Sequence, residues 1–172
     1  MLAALSISAA VTTCPIEDAR YALRTEPSVA AQFLRVDSGP DWPQGLALRL
    51  DFHGRREWLL PWNGGTDSRQ NVASTLDPTT PSWTPPSPDG GPRPLGNFEY
   101  LGFDATYALL EAAPKREELA PAHFLLPHLD DALRHPRGDS SRDSIPRQFF
   151  DLVACEHSRS DLGGERKMKP RR

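Results

Sequence analysis

The densest run of side chains able to do chemistry lies between His123 and His135, and holds His123, His128, Asp130, Asp131 and His135. Imidazoles beside a carboxylate are the ligands of zinc and related divalent ions. On a helix, His128, Asp131 and His135 share one face, at spacings of three, four and seven. Read this way, His123, His128, Asp131 and His135 would serve a metal-assisted hydrolase. No known ligand spacing is reproduced, and the competing reading is a short surface helix with scattered polar residues, so no metal or cofactor is expected.

A second set is aromatic and amide in character: Trp42, Trp58, Trp62, Asn63, Asp67, Trp83 and Asp89. All four tryptophans fall between positions 42 and 83. Flat apolar rings beside Asn and Asp can stack on and hydrogen-bond a small polar ligand, a sugar included. Trp42, Asn63, Asp67, Trp83 and Asp89 are the candidate binding residues. The competing reading makes Trp58 and Trp62 core and has Trp42 and Trp83 staple a loop, because tryptophan usually uses its area for packing.

A third set is Cys155 with His157, two apart on a strand and so on the same side. A thiolate needs an electropositive setting, and Glu156 makes this a poor one. Arg137-Gly138-Asp139 matches an adhesion tripeptide by letters only. There is no Gly-rich phosphate loop, Gly-x-Ser-x-Gly elbow, His-Glu-x-x-His or Cys-x-x-Cys. These absences argue against several large enzyme families but not against enzymes in general. The leading expectation is a non-catalytic exported domain that binds a small ligand or a protein partner near residues 63–96.

The elements that must position these residues are strands. In the stretch Gly45–Gly65, Leu46, Leu48, Leu50 and Phe52 alternate with smaller or polar residues, and Trp58, Leu60 and Trp62 repeat the period on the return. This predicts a β-hairpin. A three-residue loop, His53-Gly54-Arg55, opposes Leu50 to Trp58 and Leu48 to Leu60 and gathers the apolar pairs on one face. A two-residue turn at His53-Gly54 would oppose Leu50 to Glu57 and split that face, so it is not expected, while a five-residue loop remains an alternative. Upstream, Ala19, Tyr21 and Leu23 alternate as a strand that Glu26-Pro27-Ser28 breaks. Val29, Ala31 and Phe33 then keep the period, and the phase shift to Leu34 and Val36 predicts a bulge near Phe33.

Residues 63–96 contain seven prolines, which fit neither a helix nor a central strand. Only Asn71–Leu76 could form a short element. The rest is expected to be an ordered loop over one end of the sheet, with Trp83 and Leu95 to bury; a disordered spacer is the alternative. Asn97–Phe103 reads as a strand, Thr106–Leu110 as another (with a short helix capped by Asp104 and ended by Pro114 as the alternative), Ala122–Leu126 as a third, His128–His135 as one or two helical turns, and Gln148–Cys155 as the last strand. Seven or eight short strands with little helix give an all-β or β-rich α+β class, as a small antiparallel barrel or sandwich. One domain is expected over residues 14–157.

Composition constrains partners and compartment. The chain carries a net charge of −3, but five of its 20 Lys and Arg fall in the last seven residues. Residues 1–164 then hold 15 basic and 22 acidic side chains, a net −7. An acidic body does not attract phosphate backbones, so nucleic acid is not an expected partner. Residues 158–172 read as a solvated, disordered basic tail. No apolar run reaches the roughly 18 residues needed to span a bilayer. Residues 1–10 resemble the apolar core of a secretory signal, with Ser8-Ala9-Ala10 as the cleavage site, although a positive start is missing. Cys14 precedes the first strand and Cys155 ends the last, so neighbouring terminal strands would let them close a disulfide of about 4–5 kcal/mol. Such a bond fits an exported protein; two buried free thiols are the alternative.

Overall fold

The structure is a computed structural model that describes residues 13–64, 69–137 and 141–156. The signal-like segment 1–10, Asp67, the Gly138-Asp139 pair, His157 and the tail 158–172 lie outside the described residues.

Among the described residues, a 3₁₀ turn at Ile16–Asp18 leads into nine strands: β1 Ala19–Leu23, β2 Glu26–Arg35, β3 Leu46–Phe52, β4 Arg55–Gly64, β5 Arg69–Thr75, β6 Asn97–Glu99, β7 Leu101–Phe103, β8 His123–Leu125 and β9 Phe150–Cys155. The helix α1, Leu129–Arg134, precedes β9. All strands are antiparallel, in the order β6-β5-β4-β3-β2-β1-β9-β8-β7. Only Tyr100 separates β6 from β7. One extended stretch thus pairs with β5 through its first half and with β8 through its second, which nearly closes the sheet into a barrel. The class is all-β, as the alternation predicts.

The inside is a single apolar cluster. Tyr21, Phe33, Tyr100, Phe124 and Phe150 meet there, with Phe124 stacked on Phe150 at 4.7 Å and edge-on to Tyr21 at 4.9 Å. Burial pushes the phenols of Tyr21 and Tyr100 well above their ordinary pKa, and the Tyr21 hydroxyl donates to Pro121 O at 2.9 Å. A barrel of about eight strands is just wide enough for side chains to fill. The described interior is packed core.

The central hairpin forms, but in a different register. Its loop is the two residues His53-Gly54, with φ of +47° and +74°. Phe52 faces Arg55, Leu50 faces Glu57 and Leu48 faces Leu59. Neither the three-residue nor the five-residue loop occurs. Two left-handed residues match the twist of the flanking strands, which longer loops reach less directly. Leu46, Leu48, Leu50 and Phe52 point inward with Leu59, while Trp58 and Leu60 point outward to a second buried cluster. The two apolar sets occupy opposite faces, because both faces of β4 are dry.

The same fact corrects the reading of β2. No bulge occurs near Phe33: pairing with β3 runs unbroken from Ala30–Asp51 to Arg35–Leu46. Val29, Ala31 and Phe33 enter the barrel, and Leu34 and Val36 pack on the outer cluster. The phase shift marks a strand that becomes buried on both sides. Glu26-Pro27-Ser28 starts β2 instead of breaking a strand, and the irregularity lies between Ala22 and Leu23.

Thr106–Leu110 is a turn, not a strand. Asp104 Oδ1 accepts hydrogen bonds from the N–H groups of Thr106 and Ala108, and Tyr107 adopts φ +63°. Only an isolated bridge between Phe103 and Leu109 survives from the alternation. The short element expected at Asn71–Leu76 is β5, so the proline-rich loop is confined to 76–96. The helical turns expected at His128–His135 are α1.

β1 and β9 are neighbours, with Ala19 opposite Cys155. The Cys14 and Cys155 sulfurs lie at bonding distance, 2.09 Å, with their Cα atoms 5.8 Å apart. Among the described residues, no helix is long and apolar enough to cross a membrane.

Candidate functional site

The outer cluster is built from Ala47 of β3, Trp58 and Leu60 of β4, Ala73 of β5 and Trp42 from the β2–β3 loop. These small and large side chains alternate with inward ones, so each strand contributes every second residue. Trp62 and Trp83 pack at its margin, and Trp62 meets Trp42 edge-on at 6.4 Å. The loop 76–96 lies across this outer face and drops Leu95 into the inner cluster. The sequence places it over one end of the sheet; the outward tryptophans draw it onto the side.

The loop is pinned along its length. Trp42 Nε1 donates to Pro86 O at 2.9 Å, and Trp83 Nε1 donates to Thr75 Oγ1 at 3.0 Å. The Arg93 guanidinium lies 5.7 Å from the Trp42 ring centre and donates to the carbonyls of Ser87 and Pro88. Ser74 Oγ donates to Gly96 O and accepts from Leu95 N. At the start of the loop, the Thr79 hydroxyl and N–H bond to Asp77 and hold its carboxyl below the usual carboxylate range.

Between Leu76 and the prolines the loop leaves a hollow of about 330 Å³, lined by Leu76, Thr80, Trp83, Pro85, Pro86 and Pro92 among others. Leu76 is 53% exposed and Trp83 is half-buried. One wall is therefore an aromatic ring, another is proline, and the rim carries hydroxyls. Such a site suits an apolar or flat group with one or two polar atoms.

The expected binding residues disperse. Trp42 is buried under the loop, and Trp83 lines the hollow. Asp89 sits exposed in a turn of the same loop. Asn63 lies apart, its Oδ1 accepting from Ala113 N at 2.7 Å. Leu76 was not singled out from the sequence, where a leucine before Asp77-Pro78 reads only as the end of a strand.

The histidines also separate. His123 faces outward from β8, with Nδ1 2.7 Å from Asp151 Oδ1 and its ring stacked on Tyr107 at 4.3 Å. Arg24 donates to both oxygens of Asp151 at 2.8 Å and to the Tyr107 hydroxyl at 2.6 Å, and its guanidinium packs 5.0 Å from the Phe149 ring centre. The Arg24 bond, then the His123 bond, holds the Asp151 carboxyl below its ordinary pKa. A carboxylate that orients a histidine is two-thirds of a catalytic triad. Among the described residues, however, no hydroxyl or thiol bonds to His123 Nε2. His128, Asp131 and His135 stand exposed at α1. Among the described residues no three His, Cys, Asp or Glu side chains converge to hold a metal ion. Cys155, bonded to Cys14, has no thiol to act as a nucleophile.

No protein-family model, curated protein or solved structure matches the chain, so the functional reading rests on this geometry.

Proposed function

We propose that the chain is an exported, non-catalytic β-barrel domain that binds a partner or small ligand at the Trp83 hollow. The observation that carries the reading is the exposed Leu76 beside a half-buried Trp83 on a loop braced from beneath by Trp42 and Arg93. A braced loop loses little entropy on binding, which favours a standing site over one formed on contact. The filled barrel interior supports the same choice of surface.

Binding is tested by titrating the full chain with a library of small aromatic and apolar fragments, followed by amide NMR shifts. Fragments should perturb Leu76, Thr80, Trp83 and Gly91 together, and Trp83→Ala should abolish the response. Perturbations that avoid these residues, or that survive Trp83→Ala, would remove the hollow from consideration. Export is tested on protein from fractionated cells. It should begin at Val11 and weigh two mass units less before reduction than after; a cytosolic, fully reduced protein would contradict it.

A further inference from the structure

The β3–β4 turn places a histidine where this turn type favours Asn, Asp or Gly. There His53 stands between two carboxylates from separate elements. Nδ1 lies 3.0 Å from Asp143 Oδ1, and Nε2 lies 3.0 Å from Glu26 Oε1. Glu26 begins β2. Asp143 lies in the segment 141–149 that leads into β9, and its N–H donates to Leu133 O of α1. Ionised carboxylates only accept hydrogen bonds. A neutral imidazole donates from one nitrogen and presents a lone pair at the other; only imidazolium donates from both. Both contacts are satisfied together only by the charged ring.

We propose that His53 is a pH-operated latch: charged, it ties residues 141–145 to the turn end of β2, β3 and β4; neutral, it releases one carboxylate and loosens that segment. Leu133, whose carbonyl accepts from the Asp143 N–H, and Ile145, two residues on from Asp143, belong to the inner cluster, so loosening uncovers core at this end.

The neighbouring charges set how sharp the response is. Glu26 has no other ion pair among the described residues. Asp143 also accepts from Ser144 N at 2.8 Å and lies 3.7 Å from Arg55. Arg55 donates to Ser141 O at 2.7 Å and to Glu57 at 2.8 Å, so it holds part of the segment whatever the state of His53. Beside the turn, Arg49 and Arg56 are both paired with Asp51. On the α1 side, Arg134, His135 and Arg142 line one hollow with Asp143, and Arg134 is paired with Asp130. The bonds to Glu26 and then to Asp143 raise the His53 pKa, and the bond from His53 lowers that of Asp143. The contribution of His53 is complete below the ordinary imidazole value of about 6.5 and fades as pH rises through its raised value. That of Asp143 is present above about pH 4 and fades as pH falls through its lowered value. The latch is shut between these limits and opens on the alkaline side.

The test follows His53 ring signals and amide exchange of the full chain across pH 5 to 9. His53 should titrate above an ordinary imidazole. Exchange at Asp143, Ser144 and Ile145, corrected for its intrinsic pH dependence, should rise several-fold at the same midpoint. His53→Asn gives the turn its preferred Asn-Gly pair and should keep the fold, yet show fast exchange at every pH. Asp143→Asn should move the His53 midpoint down towards the ordinary value. A His53 midpoint at or below that value, or a step in exchange that persists in His53→Asn, would overturn the latch.

Discussion

Over the middle of β3, β4 and β5 the outside of the barrel carries a second buried apolar cluster, whereas over β7, β8 and β9 it is held by charge. On the first face Trp58, Leu60, Ala47 and Ala73 are covered by Trp42 and the proline-rich loop. On the second, Arg24, Asp151, His123 and Tyr107 form one bonded cluster, and Val153 and Leu109 remain more than half exposed. A proline-rich loop has less freedom to lose on folding, so it can cover a sheet without a helix. The charged cluster instead stitches the turn at Tyr107, with its φ of +63°, back onto the strands. The two faces should therefore respond to different perturbations: the first to lost volume, the second to pH and salt.

The largest effect should come from the dry face. Trp42→Ala removes a side chain that is 4% exposed together with its bond to Pro86, and should cost about 3–5 kcal/mol in urea or guanidinium unfolding. The cost should not change between pH 7 and pH 4, and exchange across residues 83–93 should rise with it. A loss under about 1 kcal/mol would mean that the loop is not anchored to this face.

A smaller effect is expected on the charged face. Asp151→Asn should cost about 1 kcal/mol at pH 7, since one oxygen still accepts from Arg24 and the pair is partly exposed. The Asp151 carboxyl has a lowered pKa, so its contribution is present above its unfolded value of about 3.9 and is lost as pH falls through the folded one. The difference between wild type and variant should shrink below about pH 4 and, by a few tenths of a kcal/mol, between 0.1 and 1 M salt. If Asp151→Asn kept its cost in acid and salt while Trp42→Ala lost its own, the contrast between the faces would be reversed.

Much of this molecule is legible locally. Tyr21 and Leu23, Val29 to Phe33 and Leu46 to Phe52 carry a period of two, and each run lies in a strand. Cys14 and Cys155 flank the terminal strands, and those strands pair. The tryptophan set admits two readings in sequence; in the fold the Trp42 N–H donates to Pro86 O of the loop, and Trp83, on the loop, donates to Thr75 Oγ1 of β5. The hollow at Leu76 had no signal, because the exposure of one leucine depends on where a later stretch of chain is laid. His53 had a faint one, a histidine in place of the asparagine that precedes glycine in such turns. Its partners stand 27 and 90 residues away.

Alternation and turn formers act between near neighbours, so the chain alone set the β class, the places of most strands and the bracketing cysteines. It did not set which way Trp58, Leu60 and Trp62 face. A slip of one residue exchanges the two sides of a strand, and either side is acceptable if something distant covers it. That cover is the 76–96 loop, and only the folded barrel brings it over β3, β4 and β5.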